Sequence, residues 1–487
     1  MIRRILAAAG PYSLGATGEA GAGHADGSSN WALAGLSLAM LLPSLATSIA
    51  NAALPALAQA FGAPFQAVQW IILSYLVAVT ALVVAAGRLG DLVGRRRLLL
   101  AGTAMFAVAS LLCGLSPTLI LLIAARTIQG LGAAIMMALT IAFVGDAVPA
   151  SQRGRAMGLL GTMSAVGTTL GPALGGFLIA LAGARAIFLI LVPLGTLAFA
   201  LLARTLPADQ ERAKNSARAF DWTGTGLLVC TLTGYALAMT IGRGQFGLLN
   251  VSLVLAALVS GALFLLVEAR APAPLLRLSL FSDRVLSAGL ATNALVATVM
   301  MTTLVVGPFY LTGALGLGGA MTGLVLSVGP LVAALAGLPA GRLVDRYGSY
   351  PTGLAGSIAI AAGALALSLL PLEFGLAGYI VPIIAMTTGY ALFQASNTTG
   401  IMANVGPAER GVVSGMVSLA RNLGLVTGAS AMGAVFSYSS ATGGVVEASS
   451  EAIAHGLHAA FAIATVLASL ATVIATRRAG RSSTAMA

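Results

Sequence analysis

Charge is scarce in this chain. Only 8% of its 487 residues are Asp, Glu, Lys or Arg, against about a quarter in an ordinary soluble domain. So few charges cannot build a water-facing surface for a chain of this length, so most of the surface must meet another solvent. Acids are the rarer sign, 14 against 25 Lys and Arg, for a net charge of +11. That balance would suggest nucleic acid in a soluble protein, but the expected interleaving of aromatic and basic residues is missing and aromatics reach only 6%. Cysteine is almost missing too. Cys113 and Cys230 each lie inside an apolar run, which speaks against a disulfide or a thiolate metal site. There is no phosphate-binding loop, which excludes ATP hydrolysis as an energy source, and no nucleophile–base constellation for a membrane hydrolase or acyltransferase. The "HGLH" at 455–458 has too few neighbouring ligands for a metal. No enzyme activity and no cofactor are expected.

Apolar residues are what the chain has instead, 58% of it, with a mean hydropathy of +0.98. A helix needs about 20 apolar residues to cross the hydrocarbon core of a bilayer. Fourteen stretches qualify: 31–54, 67–87, 98–116, 118–144, 156–181, 185–204, 222–242, 248–268, 285–311, 320–340, 352–371, 375–402, 411–436 and 456–476. Helices are expected because backbone facing lipid must satisfy its own hydrogen bonds. With both termini on the cytoplasmic side, 21 of the 25 basic residues fall in cytoplasmic segments. Arg185 and Arg243 fall outside, and Arg126 and Arg421 inside spans. Losing one span would scramble this asymmetry, so fourteen spans follow. Residues 1–30, rich in Gly, Ala and Ser with no apolar core fit for a secretory signal, read as a flexible cytoplasmic tail, and 477–487 as a second.

Two stretches repeat. "GRLGDLVG" at 87 returns as "GRLVDRYG" at 341, an offset of 254, and "PASQRGRAMG" at 149 returns as "PAERGVVSG" at 407, its Arg153 and Arg410 differing by 257. Near-equal offsets in the same order indicate a duplicated six-helix unit. The expected units are 31–204 and 285–476, with an inserted helix pair in 205–284.

Around these motifs the chain resembles the major facilitator superfamily, and more narrowly its fourteen-span drug:proton antiporters, over nearly everything from Trp31 to Arg478. The resemblance implies an all-α integral membrane protein of the cytoplasmic membrane with two six-helix pseudo-symmetric bundles. It would be a monomer that takes its energy from the proton gradient and exchanges protons for a small-molecule substrate. "GRLGDLVGRRR" is similar to that superfamily's signature between helices two and three. It implies a conformational latch of Gly87, Arg88, Asp91, Gly94 and Arg95, with Gly341, Arg342 and Asp345 as the second copy. Asp91 would accept hydrogen bonds across the cytoplasmic seam in the outward-facing state, and the latch would break when the halves rock. Positive-inside charge alone could account for Arg96 and Arg97.

"GTTLGPALGG" at 167–176 resembles the exporters' motif in helix five and implies a bent, tightly packed gate of Gly167, Gly171, Pro172, Gly175 and Gly176. "RTIQGLGAA" begins at Arg126, a cation inside a span. Either it snorkels to the outer surface or, with Gln129, it lines the central cavity. The resemblance implies a role in proton coupling. Helix one departs from the family pattern, with Ala46 where many relatives carry an aspartate. None of the fourteen acids falls clearly in the middle third of a span. The proton carrier is therefore expected at a seam, at Asp91 or Asp146, and neutral or anionic substrates are expected over monocations. Polar residues that could line the cavity are Ser48, Asn51, Gln69, Trp70, Tyr75, Asn293, Gln394, Asn397, Arg421 and Asn422, each of which could instead make an interhelical hydrogen bond. An organic-anion uptake symporter of the same fold and a non-transporting membrane scaffold are the alternatives.

Overall fold

The computed structural model describes residues 25–147, 150–207, 209, 221–241, 247–271, 278–403, 405, 410–440 and 449–482. The side chains of Arg88, Asp91, Asp146 and Arg410 lie outside what is described. Among the described residues every long element is a helix. In chain order these are α1 (Ala25–Ala52), α2 (Phe65–Val93), α3 (Arg95–Leu115), α4 (Leu119–Ala147), α5 (Ala150–Ala182), α6 (Leu191–Thr205, after a single turn Ala186–Leu189) and α7 (Trp222–Thr240). There follow α8 (Leu248–Arg270), α9 (Arg284–Phe309), α10 (Gly319–Tyr347), α11 (Ser349–Ser368), α12 (Gly375–Met402), α13 (Arg410–Thr427) and α14 (Ser450–Ser482). Thirteen are long and apolar enough to cross a membrane. The exception is α7, whose glycines and threonines lower the hydropathy of its 19 residues.

Several expected boundaries move. The first span divides after Ala52, and Leu54–Phe61 forms a short helix opened by Pro55. Helix α1 starts at Ala25 and α14 runs to Ser482, so both expected tails lose residues to helix. Hydropathy marks what lipid covers, whereas the helical ladder continues through the polar flanks "ADGSSN" at 25–30 and "RRAGRS" at 477–482. Both copies of the first motif turn on one residue. Gly94, at φ 105°, separates α2 from α3, and Gly348, at φ 85°, separates α10 from α11. Only glycine adopts such backbone without strain.

Helices α1–α6 and α9–α14 pair internally in the same pattern: first with fifth, second with fourth, third with fourth, first with sixth and third with sixth. The glycine crossings repeat to the residue. A Cβ on Gly132 would fall 2.7 Å from the Gly102 carbonyl oxygen, and one on Gly389 2.6 Å from that of Gly356. Those glycines differ by 257 and 254, the offsets of the two sequence motifs. Small residues let helix backbones approach closely where no hydrophobic drive between helices exists. Pair α7–α8 stands beside this arrangement. Helix α8 packs mainly on α7 and leaves Leu248, Leu255 and Leu258 exposed.

Among the described residues, the two groups meet at one end. Helix α5 touches α10, and α2 touches α13, at the end that carries the α1–α2, α9–α10 and α13–α14 connections. At the opposite end the same four helices diverge. Nothing lies within 4 Å of a Cβ built on Gly87, Gly158, Gly161, Gly337, Gly341 or Gly415, and Leu335 and Leu338 are exposed. The molecule is shut at the first end and open at the second.

Candidate functional site

The most unusual side chain is a buried cation. Arg126, on α4, is fully enclosed between α1, α2 and the turn before α6. Its Nε donates to the Ile71 carbonyl at 2.9 Å, and its Nη1 donates to Gln129 Oε1 at 2.5 Å and to the Ala46 carbonyl at 3.4 Å. The guanidinium lies 4.2 Å from the centre of the Tyr75 ring. Gln129 in turn donates to Ser110 Oγ at 2.7 Å, and Tyr75 donates its hydroxyl to the Pro43 carbonyl. Every described partner is neutral, and Nη2 has none among the described residues. Arg126 therefore neither snorkels nor lines an open cavity in this conformation. The carbonyl it touches belongs to Ala46, so the side chain at that position neighbours the cation, and here it is a methyl.

The shut end consists of two seams related by the internal repeat. In one, Gly176 of α5 lies against Gly319 and Gly323 of α10, and the Pro172 carbonyl oxygen occupies the place a Cβ on Gly323 would need. In the other, Gln69 of α2 donates to the Ala429 carbonyl at 2.8 Å, filling the space left by Gly433. There α13 passes through a π-helical turn, Gly428–Met432, and continues as a short helix, Gly433–Ser439. Gln66 also hydrogen-bonds to Ser437. Phe65 packs edge-on to Phe309 at 4.7 Å and against Phe436 at 5.3 Å.

The expected gate residues divide. Gly176 and Pro172 reach across to α10, whereas Gly167, Gly171 and Gly175 receive Leu41, Ser48 and Ile49 of α1, within their own group. Gly424 and Gly428 meet Ala294 and Met301 of α9 at the matching offset, so that part of the motif serves packing common to both groups.

At the open end, Gly87 and Gly341 have free space around them, and Arg342 and Asp345 are exposed. What holds the motif corner is a residue the sequence reading passed over. Asp209, three residues past Leu206, accepts from the Arg96 and Arg97 backbone N–H groups at 2.8 and 3.1 Å and caps α3. A Cβ on Gly94 would collide with its carboxylate. The Arg96 side chain donates to the Ala203 carbonyl at 2.7 Å, which ties it to α6 within the same group.

Most of the expected cavity residues are interhelical bonds instead. Ser48 donates to the Gly167 carbonyl, Asn293 to Val417, Asn397 to Gly289, Trp70 to Thr240 Oγ1 and Gln69 to Ala429. Polar groups in an apolar surround take the nearest carbonyl, which leaves them fewer free atoms to offer a ligand. Asn397 also borders a pocket of about 140 Å³ with Thr292, Ser349 and Tyr350, inside the second group and away from the seams. Three candidates keep unpaired atoms. Asn51 is 1% exposed with neither amide atom partnered, Gln69 has an unpartnered Oε1, and Arg421 has an unpartnered Nε. Gln394 bonds Tyr390 beside Arg421, and Asn422 is buried. No cluster of potential metal ligands occurs among the described residues, and His455 and His458 donate to the Ser439 and Leu370 carbonyls at neighbouring helix ends.

Comparison with known proteins bears on the whole arrangement. Residues 36–429 match the family described as Major Facilitator Superfamily. The uncharacterized transporter YebQ of Escherichia coli is 33% identical over 389 residues, 78% of this chain and 83% of its own length. The multidrug resistance protein Stp of Mycobacterium tuberculosis is 33% identical over 414 residues, 82% of this chain and 74% of its own. Among solved structures, a bacterial homologue of the human lysosomal transporter Spinster, in an inward-facing and unoccupied conformation, superposes with a TM-score of 0.66 at 16% identity. That match covers 92% of this chain and 96% of the homologue. With its apolar helices and its repeated pairing, this chain belongs to the Major Facilitator Superfamily, as a multi-pass integral membrane protein of the transport class.

Proposed function

We propose that the protein is a proton-coupled antiporter that exports small organic compounds, neutral or anionic, by alternating access through two six-helix bundles. In this reading all fourteen helices span the cytoplasmic membrane, both termini are cytoplasmic, and the protein acts as a monomer. The observation that carries it is the one-sided closure. The helix bearing "GTTLGPALGG" seals the shut end at Gly176, while the arginine-rich motif corners lie at the open end. Basic connections mark the cytoplasmic side, which supports reading this conformation as inward-facing, the state in which alternating access separates the motif corners.

The charge balance supports the substrate class. Arg126 is a buried cation with no described carboxylate beside it, and Ala46 supplies none. A lipophilic monocation would meet repulsion there, whereas an anion or a polar neutral compound would not. Asn51 and Arg421 offer unpaired polar atoms to it. Asp91 or Asp146 carries the proton, and Arg126 with Gln129 takes part in coupling from the far end of the same helices, about 30 Å away along α4. Drug export also fits the relative Stp, a multidrug resistance protein.

The test is efflux from cells stripped of their major pumps, using matched cationic, neutral and anionic fluorescent compounds with and without a protonophore. Protonophore-sensitive export of neutral or anionic members, lost in Asp91→Ala and Arg126→Ala, is expected. Export of monocations as strong as that of their neutral analogues would overturn the charge argument. Accumulation in place of export would overturn the direction.

A further inference from the structure

The two seams of the shut end occupy equivalent positions in the repeat, yet they are built differently. Offsets of 254 for the second helix and 257 for the fifth map Gln69 onto Gly323, Pro172 onto Ala429 and Gly176 onto Gly433. In the α5–α10 seam the mapped set is glycine on glycine, with the Pro172 carbonyl oxygen against Gly323 and no side chain between the backbones. In the α2–α13 seam the side chain of Gln69 occupies that place. It is 1% exposed, lies where a Cβ on Gly433 would have to sit, and donates to the Ala429 carbonyl. Both copies interrupt the helical ladder at the same point, α5 with Pro172 and α13 with its π-helical turn. Among the described residues, only the α13 interruption receives a side-chain donor from the other group.

The inserted pair enters at this seam. Helix α7 packs on α2 and on α13 together, bridging the two groups, whereas α8 keeps to α7. The contact is anchored by Trp70, the residue after Gln69, whose Nε1–H donates to Thr240 Oγ1 at 3.1 Å. Thr240 is 5% exposed and passes its own proton to the Ala236 carbonyl at 2.8 Å, so its oxygen is held in place to accept.

We propose that Gln69 is the bolt of the outer gate and that helix α7 braces it through Trp70 and Thr240, while the α5–α10 glycine seam carries no such bond. A glycine crossing can part without breaking hydrogen bonds. The bolt cannot, because separating α2 from α13 breaks the Gln69–Ala429 hydrogen bond, a net cost of about 1 kcal/mol even where water takes over the freed amide. This gives the two extra helices a task that a twelve-span arrangement of the same two bundles lacks: to set how readily the gate opens. The proposal rests on the alternating-access reading but needs no substrate, so it can fail or stand whether or not export is found.

The test uses the full-length protein in lipid nanodiscs, with Cys113 and Cys230 replaced by serine and spin labels placed at Ala60 and Tyr438, both exposed at the shut end. Their distance distribution reports how often the gate opens. Gln69→Leu removes the bolt, Trp70→Phe removes the indole donor, and Thr240→Val removes only the acceptor oxygen. Each is expected to raise the open fraction about fivefold, the value of one net buried hydrogen bond. Trp70→Phe combined with Thr240→Val should do no more than either alone. A distribution unchanged in both Gln69→Leu and Thr240→Val overturns the proposal. So does a fall in melting temperature with no change in distance, which would make the contacts structural only.

Discussion

Gly175 and Gly176 are adjacent in sequence and pack against different groups, which allows one substitution to be read against the other. A methyl on Gly176 would overlap the Gly319 carbonyl oxygen and would sit 3.1 Å from Gly323 Cα and 3.2 Å from Ala320 Cα. Carbon atoms rest about 3.5–4.0 Å apart, so α5 and α10 must part by about half an ångström. Overpacking of this kind costs about 1–3 kcal/mol. The cost falls only on the state in which the shut end is shut, because the two helices separate when it opens. At about a factor of five per kcal/mol, Gly176→Ala should favour the outward-facing state by roughly 5- to 150-fold. A methyl on Gly175 meets Ile49 of α1 at 2.9 Å, inside one bundle, and strains both states alike. Gly175→Ala should therefore lower thermal stability with little effect on the equilibrium. Spin labels at Leu181 and Met321, exposed on the two helices of the seam, would read the difference as a distance. Equal shifts for the two variants, or none for Gly176→Ala, would refute the assignment of α5–α10 as a seam that opens.

Two further variants separate role from stability. In Arg126→Met an apolar side chain of similar reach replaces a buried cation that has no described carboxylate partner, an exchange often near neutral for stability. Its unfolding temperature should stay within about 5 °C of the parent while proton-driven export is lost, and a large fall in melting temperature would recast Arg126 as structural. Asp209→Ala uncaps α3 and should destabilise the protein by about 0.5–2 kcal/mol in thermal melts, with Asp209→Asn, which keeps one acceptor oxygen of the two, recovering about half of the loss. Equal losses for the two would mean that the charge matters and the capping bonds do not.

Sequence reasoning succeeded where one residue type answers to one physical demand. The apolar runs require helices because lipid offers backbone no partner. The duplicated "GRLGDLVG" and "GRLVDRYG" were legible because each corner requires a glycine at positive φ, and Gly94 and Gly348 supply it. Arg126 was conspicuous as a charge inside a span. The cavity residues went the other way. Ser48, Gln69, Trp70 and Asn293 are polar residues in helices, and nothing in one dimension says whether the nearest carbonyl lies across a packed interface or across a cavity. Asp209 was hidden for a related reason: its capping partners, Arg96 and Arg97, are more than a hundred residues away in sequence. Gly319 and Gly323 carried a readable signal, small residues four apart, but only their contact with Gly176 gives it a purpose.

Composition and periodicity thus decided the solvent, the helices and the duplication, since these depend on what each segment is made of. The tertiary structure decided which copies differ. The repeat would make Gln69 and Gly323 equivalent, and only the packing of α2 on α13, with α7 laid across both, turns one into a hydrogen-bonded contact and leaves the other as bare backbone. It also decided that the molecule is shut at one end. That property belongs to the distance between two groups of helices, and no segment of the chain holds that distance by itself.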